Sequence, residues 1–318
     1  MRWSDSRKAP TELAQGTGAD QGSALRQEGP THGHGGPRWA WWALGLVYLA
    51  VVGACLTVQP RGVPPDEIAH IQYAEFIASQ GRLPIWSPQD GGEAGYESQH
   101  PPVFYLVAAG LYRLTEGLAA RWRWTIVRLL SVVCGLVILL VCQRLFEEVL
   151  PQDSWWPLLA TSVVVLMPTV MFYASHINPD IMVLMWSALV LWLACRVRWQ
   201  PGNLRLVVLL GILSALGTLT KVSAGPLFLV ALIALGGWIR DPAGGRHRTL
   251  RGMGVLLLVF LLTCGWYFRM NYLLYGTFVI HTPSLVGSAV EEAFTTTRPL
   301  SALWVLGKLM AKNTYLST

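Results

Sequence analysis

The chain has 318 residues and a formal charge of +6, with 53% hydrophobic residues and only 13% charged residues. Soluble domains carry about 25% charged residues, so this composition excludes an ordinary soluble enzyme, and it equally excludes a disordered or collagen-like chain. So few charges cannot cover that much apolar surface in water, and we predict an all-α polytopic membrane protein. The five cysteines lie inside apolar runs without a CxxC pair, which argues against a disulfide framework or a zinc module.

The basic excess is best explained by membrane topology. The Lys and Arg residues stand in short clusters between apolar runs and do not form one basic stripe. Cytoplasmic loops of membrane proteins collect such residues. We therefore expect no nucleic acid among the partners of this chain.

The N-terminal part of the chain divides into a tail and a first span. Residues 1–38 are polar and glycine-rich and predict a disordered cytoplasmic tail. Residues 39–58 carry no charge and begin with tryptophans, as an interfacial aromatic belt would. Charge-poor runs then predict a transmembrane helical domain over 39–268 with about seven spans. The predicted spans after the first cover 126–143, 155–177, 180–195, 206–220, 222–239 and 252–268.

The stretch 102–118 can either span the membrane or lie on its surface as an amphipathic helix. A surface helix leaves 13 Lys and Arg residues on the cytoplasmic side and 7 on the far side up to residue 251, whereas a span gives 10 on each side. The positive-inside rule favours the surface helix with a cytoplasmic N-terminus. The loop 59–125, the corner at 178–180 and the turn at Lys221 then share the outer side.

The outer loop begins with two prolines that end the first span and favour the start of a new helix. Asp66 and Glu67 follow in the first turn, and His70 lies on the same helix face. This helix is predicted to run to Gln80 and to stop at Gly81. The acids are also ordinary residues for a helix start.

A functional interpretation of these acids is favoured by their place in the chain. They follow the first span directly, in a loop that continues to Glu97 and His100. Two carboxylates and an imidazole at a lipid–water boundary can remove a proton from a hydroxyl. They can also hold a divalent cation such as Mg²⁺ or Mn²⁺, for which Asp66, Glu67 and His70 are the candidate ligands.

Two further charges stand at the ends of apolar stretches. A charged Asp180 beside a span is energetically unfavourable unless it faces a polar cavity. An aspartate at this position would also suit the start of a helix. Lys221 needs an anionic partner, for which a phosphate, Asp180 or Asp66 would serve, unless it snorkels at a tight turn. Arg128 and Arg269 lie at the outer ends of spans, where they can clamp a phosphate or anchor a lipid headgroup.

Several segments resemble one family of membrane enzymes. The sequence PPDEIAH at 64–70 resembles the first outer loop of GT-C fold glycosyltransferases, and 99–105 (QHPPVFY) resembles the QPPLYY segment of that loop. The acid of 178–180 and the segments 219–221 and 265–269 resemble later family elements. Protein O-mannosyltransferases and the aminoarabinose transferases of lipid A belong to this superfamily. The nearest resemblance is to the bacterial DUF2142 group, which has a PPDE-type loop.

The resemblance implies a GT-C-like helix bundle that moves a sugar from a polyprenyl-phosphate carrier to an acceptor hydroxyl on the extracytoplasmic side. A single displacement would invert the anomeric carbon. The polyprenyl-phosphate-linked sugar and membrane lipid are the expected partners. In this mechanism the catalytic residues are Asp66 and Glu67, the residues that assist the acceptor or a metal are His70, His100 and Asp180, and the phosphate contacts are Lys221, Arg128 and Arg269.

Two other functions remain open from the sequence. A transporter or flippase for a lipid-linked solute is disfavoured, because the halves of the chain show no paired repeats and the acids cluster in a loop. An inactive membrane scaffold is the second alternative. Relatives have more spans than this chain shows, so 269–318 is expected to be an outer segment that is truncated before further spans. The expected location is the cell membrane.

Overall fold

The computed structural model describes residues 38–64, 66–87, 89–151, 155–240 and 245–280. The predicted tail, apart from its last residue, and the part of the predicted outer segment beyond residue 280 lie outside the described residues. Across the described ranges the chain forms ten α-helices and no strand, which confirms the all-α prediction.

The helices follow one another with short connections, apart from the loop between the second and third helices. Short 3₁₀ turns cover Tyr96–Gln99, Val222–Ala224 and Gly237–Arg240. The α-helices are α1 (Arg38–Val58), α2 (Glu67–Gln80), α3 (Val103–Leu114), α4 (Ala120–Val149), α5 (Trp156–Val165), α6 (Pro168–Ala174), α7 (Pro179–Trp199), α8 (Leu204–Thr220), α9 (Pro226–Gly236) and α10 (Gly245–Tyr275).

Each of the seven predicted spans corresponds to helical structure, although not all are long enough to cross a bilayer unaided. Five helical segments of the described chain meet the length and hydropathy of a span, and α5 with α6 is a sixth if the pair counts as one span bent by 58°. Pro168 begins α6 and cannot continue the hydrogen-bond ladder of α5, which explains the bend. Helix α8 has 17 residues. The five segments are Trp39–Val58, Ala120–Val149, Pro179–Trp199, Val222–Ile239 and Gly245–Tyr275.

Helix α3 lies in the stretch 102–118, for which the sequence allowed either a span or a surface helix. It has 12 residues, which rise about 18 Å, well short of the hydrocarbon core of about 30 Å. Its buried residues, which include Phe104, Tyr105 and Tyr112, lie on one face, and the helix packs against α2 and α4. The structure therefore agrees with a helix that does not span, while the side of the membrane stays a prediction.

Helix α2 has the ends that the sequence predicted. Asp66 precedes its first residue and adopts a left-handed conformation with φ 63°, which few residues other than glycine adopt. Gly81 ends the helix, also in the left-handed region, and its N–H donates to the carbonyl of Ile77. This short helix lies in the loop between the first two long helices, where it carries the predicted acids.

The bundle brings the loop and several helix ends to one end of the molecule. Helix α7 packs against α4 and α8, and α8 packs against α10. Helices α1 and α4 cross where Tyr48 meets Gly135: the Tyr48 hydroxyl donates to the carbonyl of Val132 over 3.1 Å. A Cβ atom at Gly135 would lie only 1.9 Å from that hydroxyl oxygen, so the crossing requires glycine. The end of α1, the starts of α4 and α7 and the end of α8 thereby converge beside α2.

Candidate active site

A buried ion pair between Glu67 and Arg128 anchors this end of the bundle. Arg128 donates from Nε to Oε1 of Glu67 over 2.8 Å and from one terminal nitrogen to Oε2 over 2.7 Å. The backbone N–H groups of Gly62 and Ile177 donate to the same carboxylate over 2.9 and 3.0 Å. Burial by itself raises the pKa of Glu67, but the hydrogen bonds from Arg128 and the two backbone groups outweigh it and hold the pKa below its usual value. Glu67 is therefore a buried carboxylate anion with four donors.

Two further N–H groups of Arg128 also have acceptors in the protein. Its two terminal nitrogens donate to the carbonyls of Gln59 and Pro60 over 3.1 and 3.0 Å. Both side chains of the pair are nearly inaccessible, with 3% exposure for Arg128 and 0% for Glu67. The pair joins the end of α1, the start of α2, helix α4 and the corner before α7. Glu67 and Arg128 are therefore paired with each other, whereas the sequence analysis had predicted Glu67 as a catalytic residue and Arg128 as a phosphate contact.

Asp66, the neighbour of Glu67, is accessible to solvent. Its carboxylate accepts a hydrogen bond from the hydroxyl of Tyr96. Asp66 and Tyr96 line an open pocket of about 330 Å³ together with Gln72. Of the two adjacent acids, Asp66 is thus the one that an external hydroxyl can approach.

A compact cluster of titratable groups surrounds His70. Nδ1 of His70 lies 2.9 Å from the hydroxyl of Tyr105 and 3.8 Å from a carboxylate oxygen of Glu97. The same oxygen of Glu97 lies 2.6 Å from Nε2 of His100, in a contact without hydrogen-bond alignment. Sequence reasoning did not place Glu97 in the site. The spacing of three residues between Glu97 and His100 was the signal that could have found it, since it puts the two side chains on one face of a helical turn.

Burial keeps His70 neutral near pH 7. It lowers the pKa of His70 from 6.5 to about 4, although the nearby Glu97 carboxylate opposes the shift. Between these two values the unfolded chain binds a proton that the folded chain does not. The free energy of unfolding is therefore expected to fall as the pH is lowered from 6.5 towards 4, by at most about 1.4 kcal/mol per pH unit for one proton.

This pH dependence can be measured by thermal unfolding in detergent between pH 7 and pH 4. A His70→Gln variant is expected to lose part of the acid sensitivity, because glutamine does not titrate. His247→Gln is the matched control, since His247 is exposed at the start of α10. Equal acid sensitivity in the wild type and in the His70→Gln variant would contradict the prediction.

Asp180 and Lys221 form a second ion pair at this end of the bundle. Nζ of Lys221 lies 2.6 Å from Oδ1 of Asp180, and both side chains are 28% exposed. The side chain of Asn178 caps α7 by accepting from the backbone N–H of Asp180 over 2.6 Å. Of the three anionic partners that the sequence left open for Lys221, the structure selects Asp180.

The second ion pair lies close to the His70 cluster. Burial is the largest cause of the low pKa of His70, and His100 and Lys221 lower it further, whereas Glu97 opposes the shift. Asp180 contributes to the raised pKa of Tyr105, for which burial is the largest cause. Asp180 and Lys221 do not line the Asp66 pocket.

Some predicted residues are not brought together. Arg269 is exposed on α10 and does not join the ion pair of Lys221. The three predicted metal ligands have different partners: Asp66 contacts Tyr96, Glu67 contacts Arg128, and His70 contacts Tyr105. Within the described ranges, no three His, Cys, Asp or Glu side chains are grouped so that they could hold a metal ion. The predicted metal ligands therefore do not fit a shared cation.

A comparison with protein families identifies the family to which the chain belongs. A family model described as dolichyl-phosphate-mannose-protein mannosyltransferase matches residues 99–267, more than half of the 318-residue chain. The chain belongs to this family. It is therefore a multi-pass membrane glycosyltransferase of the GT-C type, with a polyprenyl-phosphate-linked sugar as donor. No curated protein and no solved structure matches the chain.

The matched range covers part of the candidate site of this glycosyltransferase. It includes His100, Asp180 and Lys221, and it begins after Asp66 and Glu67. The resemblance of the first outer loop to the DUF2142 group therefore stays a prediction, as do the roles of individual residues.

Proposed function

We propose that this glycosyltransferase transfers a sugar to an acceptor hydroxyl on the extracytoplasmic side, with inversion, and that Asp66 is the base. One observation carries the proposal: Asp66 is exposed in an open pocket, whereas the adjacent Glu67 is buried and paired with Arg128. A general base must reach the proton that it removes. Asp66 meets this condition and Glu67 does not.

The transfer is a single displacement at the anomeric carbon. The acceptor oxygen attacks C1 of the sugar while a carboxylate oxygen of Asp66 takes the hydroxyl proton. The bond between C1 and the phosphate oxygen breaks, and its electron pair leaves with polyprenyl phosphate. Attack opposite to this leaving group inverts the configuration at C1.

Lys221 is the cation that best suits the phosphate. The side chain of Lys221 is 28% exposed, whereas that of Arg128 is only 3% exposed and donates to Glu67 and to backbone carbonyls. A lysine ammonium beside the leaving oxygen stabilises the charge that develops there. Asp180 holds this ammonium in place before the donor binds. His70 and His100 orient groups around Glu97.

Cysteine labelling tests the side of the membrane on which these groups act. Val63 and Ser223 are exposed beside Asp66 and Lys221, and Gln200 is exposed at the opposite end of α7. In intact cells, a membrane-impermeant maleimide is expected to label Val63→Cys and Ser223→Cys but to leave Gln200→Cys unlabelled until the membrane is opened. Labelling of Val63→Cys and Ser223→Cys from opposite sides would overturn the proposed site.

Chelation tests the predicted divalent cation. Each oxygen of Glu67 accepts two hydrogen bonds, and His70 faces Tyr105. Since these side chains are engaged within the protein, we expect transfer by the purified enzyme to persist in EDTA. A loss of transfer that added Mg²⁺ or Mn²⁺ restores would show that a cation takes part.

A transfer assay with an Asp66→Asn variant tests the proposal directly. The transporter and scaffold alternatives predict no sugar transfer by the wild type. The same assay therefore separates them from the enzyme.

A further inference from the structure

A second open cleft adjoins the pocket of Asp66. It has a volume of about 660 Å³ and lies between α2, the turn at 93–95, the end of α3 and the start of α4. We call it the α2 cleft and define it by Gln72, Glu75, Ser79, Glu93, Tyr112 and Arg123. Gln72 lines both this cleft and the Asp66 pocket. A ligand in the α2 cleft can therefore extend past Gln72 towards Asp66.

The charges of the α2 cleft are largely compensated within the protein. Both oxygens of Glu93 accept hydrogen bonds from Arg82 over 2.6 Å. Glu75 accepts from the hydroxyl of Tyr112. Arg123 lies 3.5 Å above the ring of Tyr112 and donates to its carbonyl oxygen over 3.2 Å. The cleft therefore has no excess of charge that would attract a ligand with a large net charge of the opposite sign.

The lining nevertheless offers many hydrogen-bonding groups. Gln72 contributes an amide, Ser79 a hydroxyl, and Glu75 and Glu93 carboxylate oxygens. Phe76 adds an aromatic side chain to the same wall. Donors and acceptors beside an aromatic ring suit a neutral polyhydroxylated ligand, whose hydroxyl groups both donate and accept. A long apolar chain would displace water from these polar groups without offering them hydrogen bonds in its place, which is unfavourable.

The wall of the α2 cleft that carries Glu93 is built by a tightly folded loop. Gly92 has φ +94°, and a Cβ atom there would lie 2.3 Å from the carbonyl oxygen of Ile85. Glu93 also accepts from the backbone N–H of Ile85 over 2.8 Å. A wall formed in advance reduces the entropy that a ligand must give up on binding.

We propose that the α2 cleft binds a neutral carbohydrate, and that this carbohydrate is the acceptor whose hydroxyl reaches Asp66. The acceptor role rests on the proposed function, whereas carbohydrate binding does not. The transferred sugar then forms a glycosidic bond to another sugar, with the proton and the phosphate leaving as described above. A peptide bearing serine or threonine is the other class of hydroxyl acceptor, and the experiment separates it from the carbohydrate.

Binding is measured with the full chain in nanodiscs and without a sugar donor. The probes are a mixture of neutral gluco-, manno- and galacto-oligosaccharides and, separately, a set of peptides rich in serine and threonine. Saturation-transfer NMR reports which probe contacts the protein. We expect an oligosaccharide to bind and the peptides not to bind.

Substitutions then locate the bound sugar. Gln72→Ala and Ser79→Ala are expected to weaken oligosaccharide binding at least tenfold, and because both side chains are exposed, the fold should be unaffected. Gln89→Ala is the matched control, since Gln89 is exposed in the same loop but does not line the cleft. Unchanged melting temperatures establish that all three variants are folded.

Each outcome decides one of the two proposals. Binding of the peptides alone, of neither probe, or of oligosaccharides with equal affinity in Gln72→Ala, Ser79→Ala and the wild type overturns the carbohydrate cleft. If Gln72→Ala and Ser79→Ala lose binding but Asp66→Asn keeps full transfer activity, the cleft stands and the proposed role of Asp66 fails.

Discussion

Replacing Asp66 with asparagine is expected to lower sugar transfer by about 10²- to 10⁴-fold, the range that a general base contributes. The amide has the shape of the carboxylate but cannot take the proton of the acceptor hydroxyl. Its oxygen can still accept the hydrogen bond from Tyr96, so the local structure should persist. The measurement is the initial rate of transfer from a polyprenyl-phosphate sugar to an acceptor by purified protein in nanodiscs.

Asp90→Asn is the matched control for this prediction. Asp90 is an exposed acid of the same loop, and its carboxylate accepts from the backbone N–H of Gly92 over 3.0 Å. It lies outside the pocket of Asp66, so transfer should be unchanged. Equal activity of Asp66→Asn and Asp90→Asn would remove Asp66 from the mechanism.

Replacing Arg128 with methionine is expected to destabilise the protein by about 3–5 kcal/mol, because breaking a buried ion pair leaves one charge without its partner. Glu67 would keep only its two backbone donors in a site that is closed to solvent. The measurement is the unfolding midpoint in detergent. Glu93→Gln, which breaks the exposed pair with Arg82, should shift the midpoint little because solvent screens that pair.

A double variant separates structural from catalytic loss. Glu67→Leu combined with Arg128→Met removes both charges, and apolar residues of similar volume often replace a buried pair without loss of stability. We expect the double variant to be more stable than Arg128→Met alone. If Arg128→Met instead keeps the wild-type midpoint but loses transfer, Arg128 contacts the donor phosphate, as the sequence had suggested.

These two predictions assign different functions to residues that are adjacent in the chain. Asp66 and Glu67 have the same charge and the same place at the start of a helix, and the sequence treated both as catalytic. The left-handed conformation at Asp66 precedes the first turn of α2, in which Glu67 is buried. Of these two acids, only Asp66 is accessible to the acceptor hydroxyl, which is what the proposed mechanism requires of its base.

The sequence by itself determined the helical class, the extent of most spans and the ends of α2. These features depend on local causes: an apolar run must be buried in lipid or protein, proline cannot continue a helix, and Gly81 adopts a left-handed conformation at low cost. The distribution of Lys and Arg over the whole chain, which is also a property of the sequence, predicted that 102–118 would not span, and α3 has 12 residues. The sequence also identified the two separate segments that contain Asp180 and Lys221.

Only the tertiary structure decided which charged groups meet. Glu67 and Arg128 are 61 positions apart, and Asp180 and Lys221 are 41 apart, so no local pattern links either pair. The place of Glu97 between His70 and His100 likewise depends on how the loop folds over α2. The energy of a buried charge depends on the partners that packing brings to it, and packing joins elements that the sequence keeps far apart.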